Sequence, residues 1–387
     1  MKTVQDRLYE KASYAHIPIM CAFELLPVCN LSCKMCYVRK SMDYVRSNGG
    51  LKNADWWLAL AKDGAAHGLL YPLLTGGEPF LHPEFDRIYT GMLDMGLQVS
   101  INTNGTLIDR SRAEFLNRYR PTRINMTLYG ASEATYERLC GNGKAFHKVH
   151  QAVELLKEFG IPLKFNASIT PDNVADLPEM IAFAKAHDCP IQVATYMFPP
   201  LRRDSSMVGQ NDRLSPEDAA LARVTAEFLQ NEPVWFVTQA ARYREFRPLE
   251  QKPWEMGISS EEGMRCRAGL CSLWVDWQGN FSNCGMYPSV NVDHTEGTFR
   301  EHWDRIVRET AEVRYHAACF SCPNRPLCHT CIAMIYNECG SHTGRPEYMC
   351  RMNEALSHYY GQFVREHYPD IIPNLSIPQA PSDTCEI

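Results

Sequence analysis

Between residues 18 and 198 the chain alternates short apolar, β-branched runs with longer segments in which apolar residues recur every three or four positions. The short runs read as strands at Ile19 to Leu26, Leu69 to Leu74, Leu97 to Asn102, Arg123 to Leu128, Leu163 to Ile169 and Ile191 to Met197. The longer ones predict helices, among them Ala54 to His67 behind an Asn53 N-cap, Phe146 to Phe159 and Val174 to His187. Strand and helix alternating in this way predict parallel strands joined by right-handed crossovers. Six units make an α/β fold of the open, partial (β/α)6 barrel type, two units short of closure, and its functional site belongs at the carboxyl ends of the strands.

The alternation ends at Pro199-Pro200, and the stretch from Leu201 to Pro216 is polar. The expected division is an N-terminal extension (1–17), the barrel (18–198), a linker and bridging helix (199–260), a cysteine-rich domain (261–355) and a C-terminal tail (356–387). Arg202 and Arg203 read as solvated linker residues, with a reach over the barrel mouth as the other use. A length of 387 residues exceeds one ordinary core, and 45% apolar with 22% charged residues is the balance of a folded chain.

A net charge of −6 with no block of Lys or Arg argues against nucleic acid and anionic lipid as partners. No apolar run approaches the roughly 18 to 20 residues of a membrane span, and residues 1–17 carry charges where a signal peptide needs an apolar stretch. A cytoplasmic protein is expected. Its 16 cysteines then point to metal or cluster ligation, because that compartment keeps thiols reduced.

The densest chemistry lies just after the first strand, where Cys29, Cys33 and Cys36 form a C-x3-C-x2-C run closed by Tyr37. Thiolates select soft metals, zinc or iron-sulfur clusters among them. A zinc knuckle with a fourth ligand from elsewhere is one reading. In a four-iron cubane, three cysteines would leave one iron open to a substrate or cofactor. Other turn residues fall on the same rim: Gly76-Gly77-Glu78 after the second strand, Asn104-Gly105 after the third, Tyr129-Gly130 after the fourth, Ser168 and Tyr196 at the fifth and sixth. Each alone is ordinary loop punctuation, but a shared rim is not. The two glycines would let the backbone approach a ligand closely.

Cys29 to Cys36, together with Thr75-Gly76-Gly77-Glu78-Pro79 and Asn102-Thr103-Asn104-Gly105-Thr106, resembles the radical S-adenosylmethionine (radical SAM) family. The resemblance implies a [4Fe-4S] cluster on Cys29, Cys33 and Cys36, with SAM chelating the open iron and cleaved by one electron to methionine and a 5′-deoxyadenosyl radical. It implies cofactor contacts at Gly76, Gly77 and Glu78 beside the methionyl amino group, at Asn104 and Thr106, and at Ser168 and Tyr37. It assigns no catalytic side chain. Where many relatives carry an Arg before a Gly to pair with the SAM carboxylate, this chain has Cys140-Gly141, leaving Arg138 or Lys144 to supply the charge. Cys21, Cys140 and Cys189 read as buried core thiols.

Beyond residue 260 come Cys266, Cys271, Gly279, Cys284, then Cys319, Cys322, Cys328, Cys331 and finally Cys350. This resembles the SPASM domain, which holds two auxiliary [4Fe-4S] clusters in many peptide-modifying radical SAM enzymes. The implied wiring is Cys266, Cys271, Cys284 and Cys331 for the first and Cys319, Cys322, Cys328 and Cys350 for the second, making three [4Fe-4S] clusters in all. The spacing departs in having only His329 and Thr330 between Cys328 and Cys331, and Cys339 is an extra thiol. Paired zinc knuckles are the other reading.

The expected activity is oxidative modification of a ribosomally made peptide, such as a cross-link, with flavodoxin or ferredoxin as electron donor. Alternatives are a sulfatase-maturating formylglycine former, a small-molecule SPASM dehydrogenase, and a non-catalytic iron-sulfur or zinc scaffold. The formylglycine branch typically has an Asp base after the third cysteine of the first auxiliary cluster, where this chain has Gly285. Only 28 residues precede Cys29, so peptide recognition is expected to use a separate leader-binding protein, the SPASM surface, contacts near Arg202 and Arg203, or an exposed sheet edge.

Overall fold

A computed structural model describes residues 3–202, 204–243, 266–287, 297–320, 322, 324 and 328–371. Among the described residues eight strands form one sheet: β1 (Met20–Glu24), β2 (Tyr71–Thr75), β3 (Ser100–Thr103), β4 (Arg123–Leu128), β5 (Leu163–Ser168), β6 (Ile191–Ala194), β7 (Ser272–Val275) and β8 (Phe281–Ser282). The order is β6-β5-β4-β3-β2-β1-β7-β8, and β1 to β6 run parallel in chain order, as six βα units require. α1 (Val4–Tyr14) precedes β1, and between the strands of this half lie α2 (Met42–Ser47), α3 (Ala54–Ala66), α4 (Phe85–Asp94), α5 (Arg110–Arg118), α6 (Glu133–Cys140), α7 (Ala145–Glu158) and α8 (Leu177–Ala186). Asn53 caps α3 by accepting from the Trp56 N–H at 3.0 Å. The helix expected from Val174 instead begins as a 3-10 turn, Val174–Asp176, and α8 starts with Pro178 in its first turn, where a missing N–H costs nothing.

The second half continues with α9 (Pro216–Gln230), α10 (Pro233–Ala240), α11 (Phe299–Ala311), α12 (Ala317–Phe320), α13 (Ile332–Cys339) and α14 (Glu347–His367). It is joined to the same sheet. β7 lies parallel to β1, with Met20 opposite Ser272 and Phe23 opposite Val275, and β8 returns antiparallel to it. The open edge of β1 is thereby covered, and strands from both halves share one ladder. Asp63 on α3 accepts the first N–H of α11 at 2.9 Å, and Trp303 on α11 donates to the His16 carbonyl at 2.7 Å. On the far side α14 packs along α9, and Tyr360, fully buried, donates to Glu227. Phe23, Trp57, Tyr89, Tyr136, Phe165, Phe236 and Trp303 are likewise buried, each contributing roughly 1.5–3 kcal/mol. Among the described residues no helix is long and apolar enough to cross a membrane.

One buried ion pair ties the polar segment after β6 to the sheet. Glu24, the last residue of β1, is fully buried, and both its oxygens accept from Arg202, at 2.6 and 2.9 Å. The Trp274 indole N–H on β7 donates to the same carboxylate at 3.0 Å. Arg202 is therefore no solvated linker residue. A carboxylate closing an apolar strand needs a cation brought to it, and Arg202 supplies it; Arg203 lies outside the described residues. Arg202→Met leaves that carboxylate buried and unpaired, so denaturant unfolding of the anaerobic protein should show a loss of about 3–5 kcal/mol. The double variant Arg202→Met/Glu24→Gln should recover part of it. Wild-type stability in the single variant would contradict this role.

Candidate active site at the carboxyl end of the sheet

β1 leads through Leu25 and Leu26 into the cysteine loop, and the loop is held from behind by the exit of β2. The Gly77 N–H donates to the Leu26 carbonyl at 2.7 Å and the Glu78 N–H to the Val28 carbonyl at 2.9 Å. A Cβ on Gly76 would stand 2.3 Å from the Leu26 oxygen, and one on Gly77 2.2 Å from the Val28 oxygen. Gly76 also has φ +147, a region that favours glycine. The two glycines thus permit a backbone-to-backbone approach that places Cys29, rather than leaving a gap at their own Cα atoms.

Glu78 turns inward. Its carboxylate is fully buried and accepts from the Thr103 hydroxyl at 2.8 Å, the Asn104 N–H at 2.8 Å and the Phe80 N–H at 3.2 Å. Burial pushes its pKa up to about 7, and these donors offset part of that rise. Asn104, positioned by Glu78, donates to the Cys29 sulfur at 3.5 Å and to the Asn30 side chain at 2.9 Å. Asn30 donates to the Thr106 hydroxyl at 2.7 Å, and Thr106 donates back to Asn104 at 2.6 Å, closing a ring of three side chains beside Cys29. Ser168 ends β5 on the same rim, with its carbonyl accepting from Asn173 at 3.0 Å.

Within the loop, the Leu31 N–H donates to the Cys29 sulfur and the Arg39 N–H to the Cys36 sulfur, both at 3.4 Å. Burial pushes the Cys29 thiol up to about 12 and raises Cys36 as well. Cys33 goes the other way, lowered first by a hydrogen bond from Cys140 and also by one from Tyr129. Arg138 donates to Thr135 and to the Asp172 carbonyl, at 3.1 and 3.0 Å. The Tyr37 phenol, raised by burial, lies within the electrostatic reach of Arg202, Glu24, Cys36 and Cys284.

Of the eight later cysteines, the structure brings Cys266, Cys284 and Cys331 into one neighbourhood, where burial pushes Cys331 up to about 12. It brings Cys322, Cys328 and Cys350 into another beside Arg345, with Cys339 next to Cys350. The Cys322 N–H donates to the Cys319 carbonyl at 3.3 Å, which joins Cys319 to that second run. Cys271 is not brought to the first trio. It is buried with Tyr9, Ala12 and Ile19, and the Ser13 hydroxyl meets its sulfur at 3.1 Å. Cys21, Cys140 and Cys189 are buried, as expected of core thiols.

Among the described residues no three His, Cys, Asp or Glu side chains close on a single ion's position. The donor set at the first loop is nonetheless suited to an iron-sulfur cluster. It consists of three half-buried sulfurs, on two of which, Cys29 and Cys36, desolvation disfavours the thiolate so that a metal's positive charge is needed to hold it, and both of these accept backbone N–H hydrogen bonds of the kind that steady cluster ligands. Glu24 and Trp274 were not among the candidate residues, and Arg202 was expected in the linker or over the barrel mouth rather than on Glu24. The one signal in the sequence was a carboxylate at the end of the apolar run Met20 to Leu26.

Residues 23–184 match the Radical SAM superfamily. The chain is 25% identical over 346 residues to the AdoMet-dependent heme synthase of Methanosarcina barkeri, covering 86% of this chain and 96% of that protein. It is 30% identical over 168 residues to the PqqA peptide cyclase of Gluconobacter oxydans, covering 43% of this chain and 46% of that protein. The crystal structure of Streptococcus suis SuiB bound to precursor peptide SuiA has the same fold, with TM-score 0.63 and 18% identity over 89% of this chain and 80% of that one.

Gly77→Ala should cost about 1–3 kcal/mol or more, because backbone must shift to admit the methyl. It should also weaken SAM binding measured by equilibrium dialysis. Gly96→Ala is the control, since Gly96 has positive φ but open space around it, whereas Gly77 has the close contact without the positive φ, and it should cost only about 1 kcal/mol. Equal losses for the two would contradict the close approach.

Proposed function

We propose, from the premise that residues 23–184 are a radical SAM domain, that this chain binds a [4Fe-4S] cluster on Cys29, Cys33 and Cys36 with SAM beside it. Working in the cytoplasm, it oxidises a ribosomally made peptide by removing hydrogen, as in a cross-link. The observation that carries this reading is the Asn30–Asn104–Thr106 ring, which joins the β1 and β3 exits at the Cys29 sulfur. When bound there, the cluster and SAM supply the hydrogen-abstracting 5′-deoxyadenosyl radical.

The backbone at Gly76, Gly77 and Glu78 receives the methionyl amino group, Asn104 and Thr106 line the ribose and methionyl parts, and Ser168 and Tyr37 complete the cofactor side. Cys266, Cys284 and Cys331 hold one auxiliary cluster and Cys319, Cys322, Cys328 and Cys350 a second, in a SPASM arrangement. A cross-link removes one hydrogen atom, one proton and one electron from the peptide, and an auxiliary cluster held by these cysteines would take up that electron. A flavodoxin or ferredoxin supplies the initiating electron, and a separate leader-binding protein can present the peptide. Gly285 supports this reading over formylglycine formation: a Cβ there would stand 2.9 Å from the Trp274 ring, so the Asp base of that branch has no room.

A second reading, oxidation of a heme precursor, is favoured by one observation. The match to the AdoMet-dependent heme synthase spans both halves of the chain, whereas that to the PqqA peptide cyclase spans under half. Anaerobic incubation with SAM and reductant, in separate arms with the short peptide encoded beside the gene and with a heme-precursor porphyrin, followed by mass spectrometry, separates them. Loss of two hydrogens from the peptide with all sulfur retained supports the cross-link, and oxidation of the porphyrin alone supports the second reading. Aldehyde formation from Cys or Ser in a sulfatase peptide would overturn both. Replacing Cys29, Cys33 and Cys36 together by Ala should remove about 4 of about 12 irons and abolish 5′-deoxyadenosine formation. Its persistence would contradict the assignment of the cluster site.

A further inference from the structure

The two faces of the sheet differ in kind. On one, Phe23 meets Trp57 of α3 and Phe165 meets Phe183 of α8, and Ile124, Met126 and Ile191 are buried with them, so the helices cover that face. The other is the inside of the barrel. There the register sets Asn125 beside Asn102 and Lys164, and Asn166 beside Thr127 and Gln192. Apart from Asn125, which is buried, these side chains are half-buried or exposed. A barrel packed only for stability fills its inward positions with bulky branched residues. Amides and a cation at those positions suit a polar ligand instead.

The charge on this inner face is of one sign. Arg123 opens β4 two positions before Asn125, so it shares the face of Lys164 and is its diagonal neighbour. The Arg123 Nε donates to the Asn125 side chain at 2.9 Å, Asn125 donates on to Asn102 at 2.8 Å, and Lys164 donates to Gln192. Among the described residues no carboxylate pairs with either cation. Strands β2 to β6 contain no Asp or Glu, although the chain has 45 acidic residues against 39 basic ones. Glu24 at the end of β1 is already taken by Arg202. Burial, and after it the Arg123 charge, lower the Lys164 pKa. An anion between the two would relieve that repulsion.

We infer that Arg123 and Lys164 seat a carboxylate of the substrate inside the barrel. This rests on the proposed function in one respect, that the inside of the barrel receives the substrate. Asn125 holds the guanidinium by its Nε and leaves both terminal nitrogens of Arg123 without a partner among the described residues, which is the donor pair a carboxylate takes. Lys164 adds a point charge beside it. The seat is deep. Lys164 lies four residues before Ser168 on β5, about 13 Å below the rim at roughly 3.3 Å per residue. A substrate held there with its reacting carbon at the rim has its carboxylate about that far from the hydrogen it loses. An acidic side chain of an extended peptide and a propionate of a heme-precursor porphyrin both supply this chemistry.

The test is anaerobic calorimetric titration of the full, reconstituted chain with SAM present and no reductant, so that binding is read without turnover. The probes are the short peptide encoded beside the gene, the same peptide with every Asp and Glu replaced by Asn and Gln, a porphyrin bearing propionates, and its methyl ester. Arg123→Met and Lys164→Met should each raise the Kd of an acidic probe about tenfold, the double variant further, and Lys164→Arg should restore most of the loss. The neutral probes should bind the wild-type chain as weakly as the acids bind the double variant, and the substitutions should weaken them no more. Tight binding of the acidic peptide alone assigns the seat to a peptide side chain, and of the porphyrin acid alone to a propionate; either supports the inference. Wild-type affinity in the double variant, equal losses for acid and neutral probes, or a wild-type chain that binds neither acid would overturn it. If Lys164→Met does not fold, Arg123→Met at the exposed start of β4 decides alone. Failure of the reduced chain to form 5′-deoxyadenosine would overturn the proposed activity and leave this binding result standing.

Discussion

Everything at the carboxyl rim depends on how closely two backbones approach each other where β1 and β2 leave the sheet. Gly76 and Gly77 bring the β2 exit against Leu26 to Val28, and the N–H groups of Gly77 and Glu78 bond to that segment directly. Glu78 then carries the constraint to the β3 exit through Thr103 and Asn104. A buried carboxylate is costly unless its oxygens are occupied, so the three exits must stay together for Glu78 to remain where it is. Asn104 delivers the result of that constraint to the Cys29 sulfur, and the carboxyl end of α6 holds the backbone on either side of Cys33 from the other direction.

The cysteine-rich half is joined to the sheet itself. β7 extends the sheet at β1, and Trp274 on β7 and Arg202 on the segment after β6 converge on one carboxylate, Glu24. The buried Tyr37 phenol lies within electrostatic reach of that ion pair and of Cys36 and Cys284, one cysteine from each half.

The βα repeat was legible because period and strand length are local properties: β4 runs from Arg123 to Leu128 as its sequence predicts, and α3 begins behind the Asn53 cap. The rim motifs were legible for a related reason, since each follows directly on a strand. What could not be read is partnership across the chain. Arg202 meets Glu24 178 positions away, and polarity alone suggested solvent. Cys140 was read correctly as buried, but its neighbour Cys33 is a product of α6 docking. Counting eight cysteines suggested that Cys271 joins a cluster, whereas α1 and the start of β1 enclose it with Tyr9 and Ile19. β7, with four residues, was too short to announce itself beside the cysteines around it.

Under the proposed function Cys29, Cys33 and Cys36 would hold an iron-sulfur cluster with SAM bound at it through its methionyl amino group. Pulsed ENDOR of the anaerobically reconstituted, reduced chain with SAM labelled with nitrogen-15 at the methionyl amino group measures this directly. A strong hyperfine coupling to the labelled nitrogen, lost with unlabelled SAM, is the predicted result. A reduced cluster signal showing no coupling to that nitrogen at saturating SAM would contradict the account.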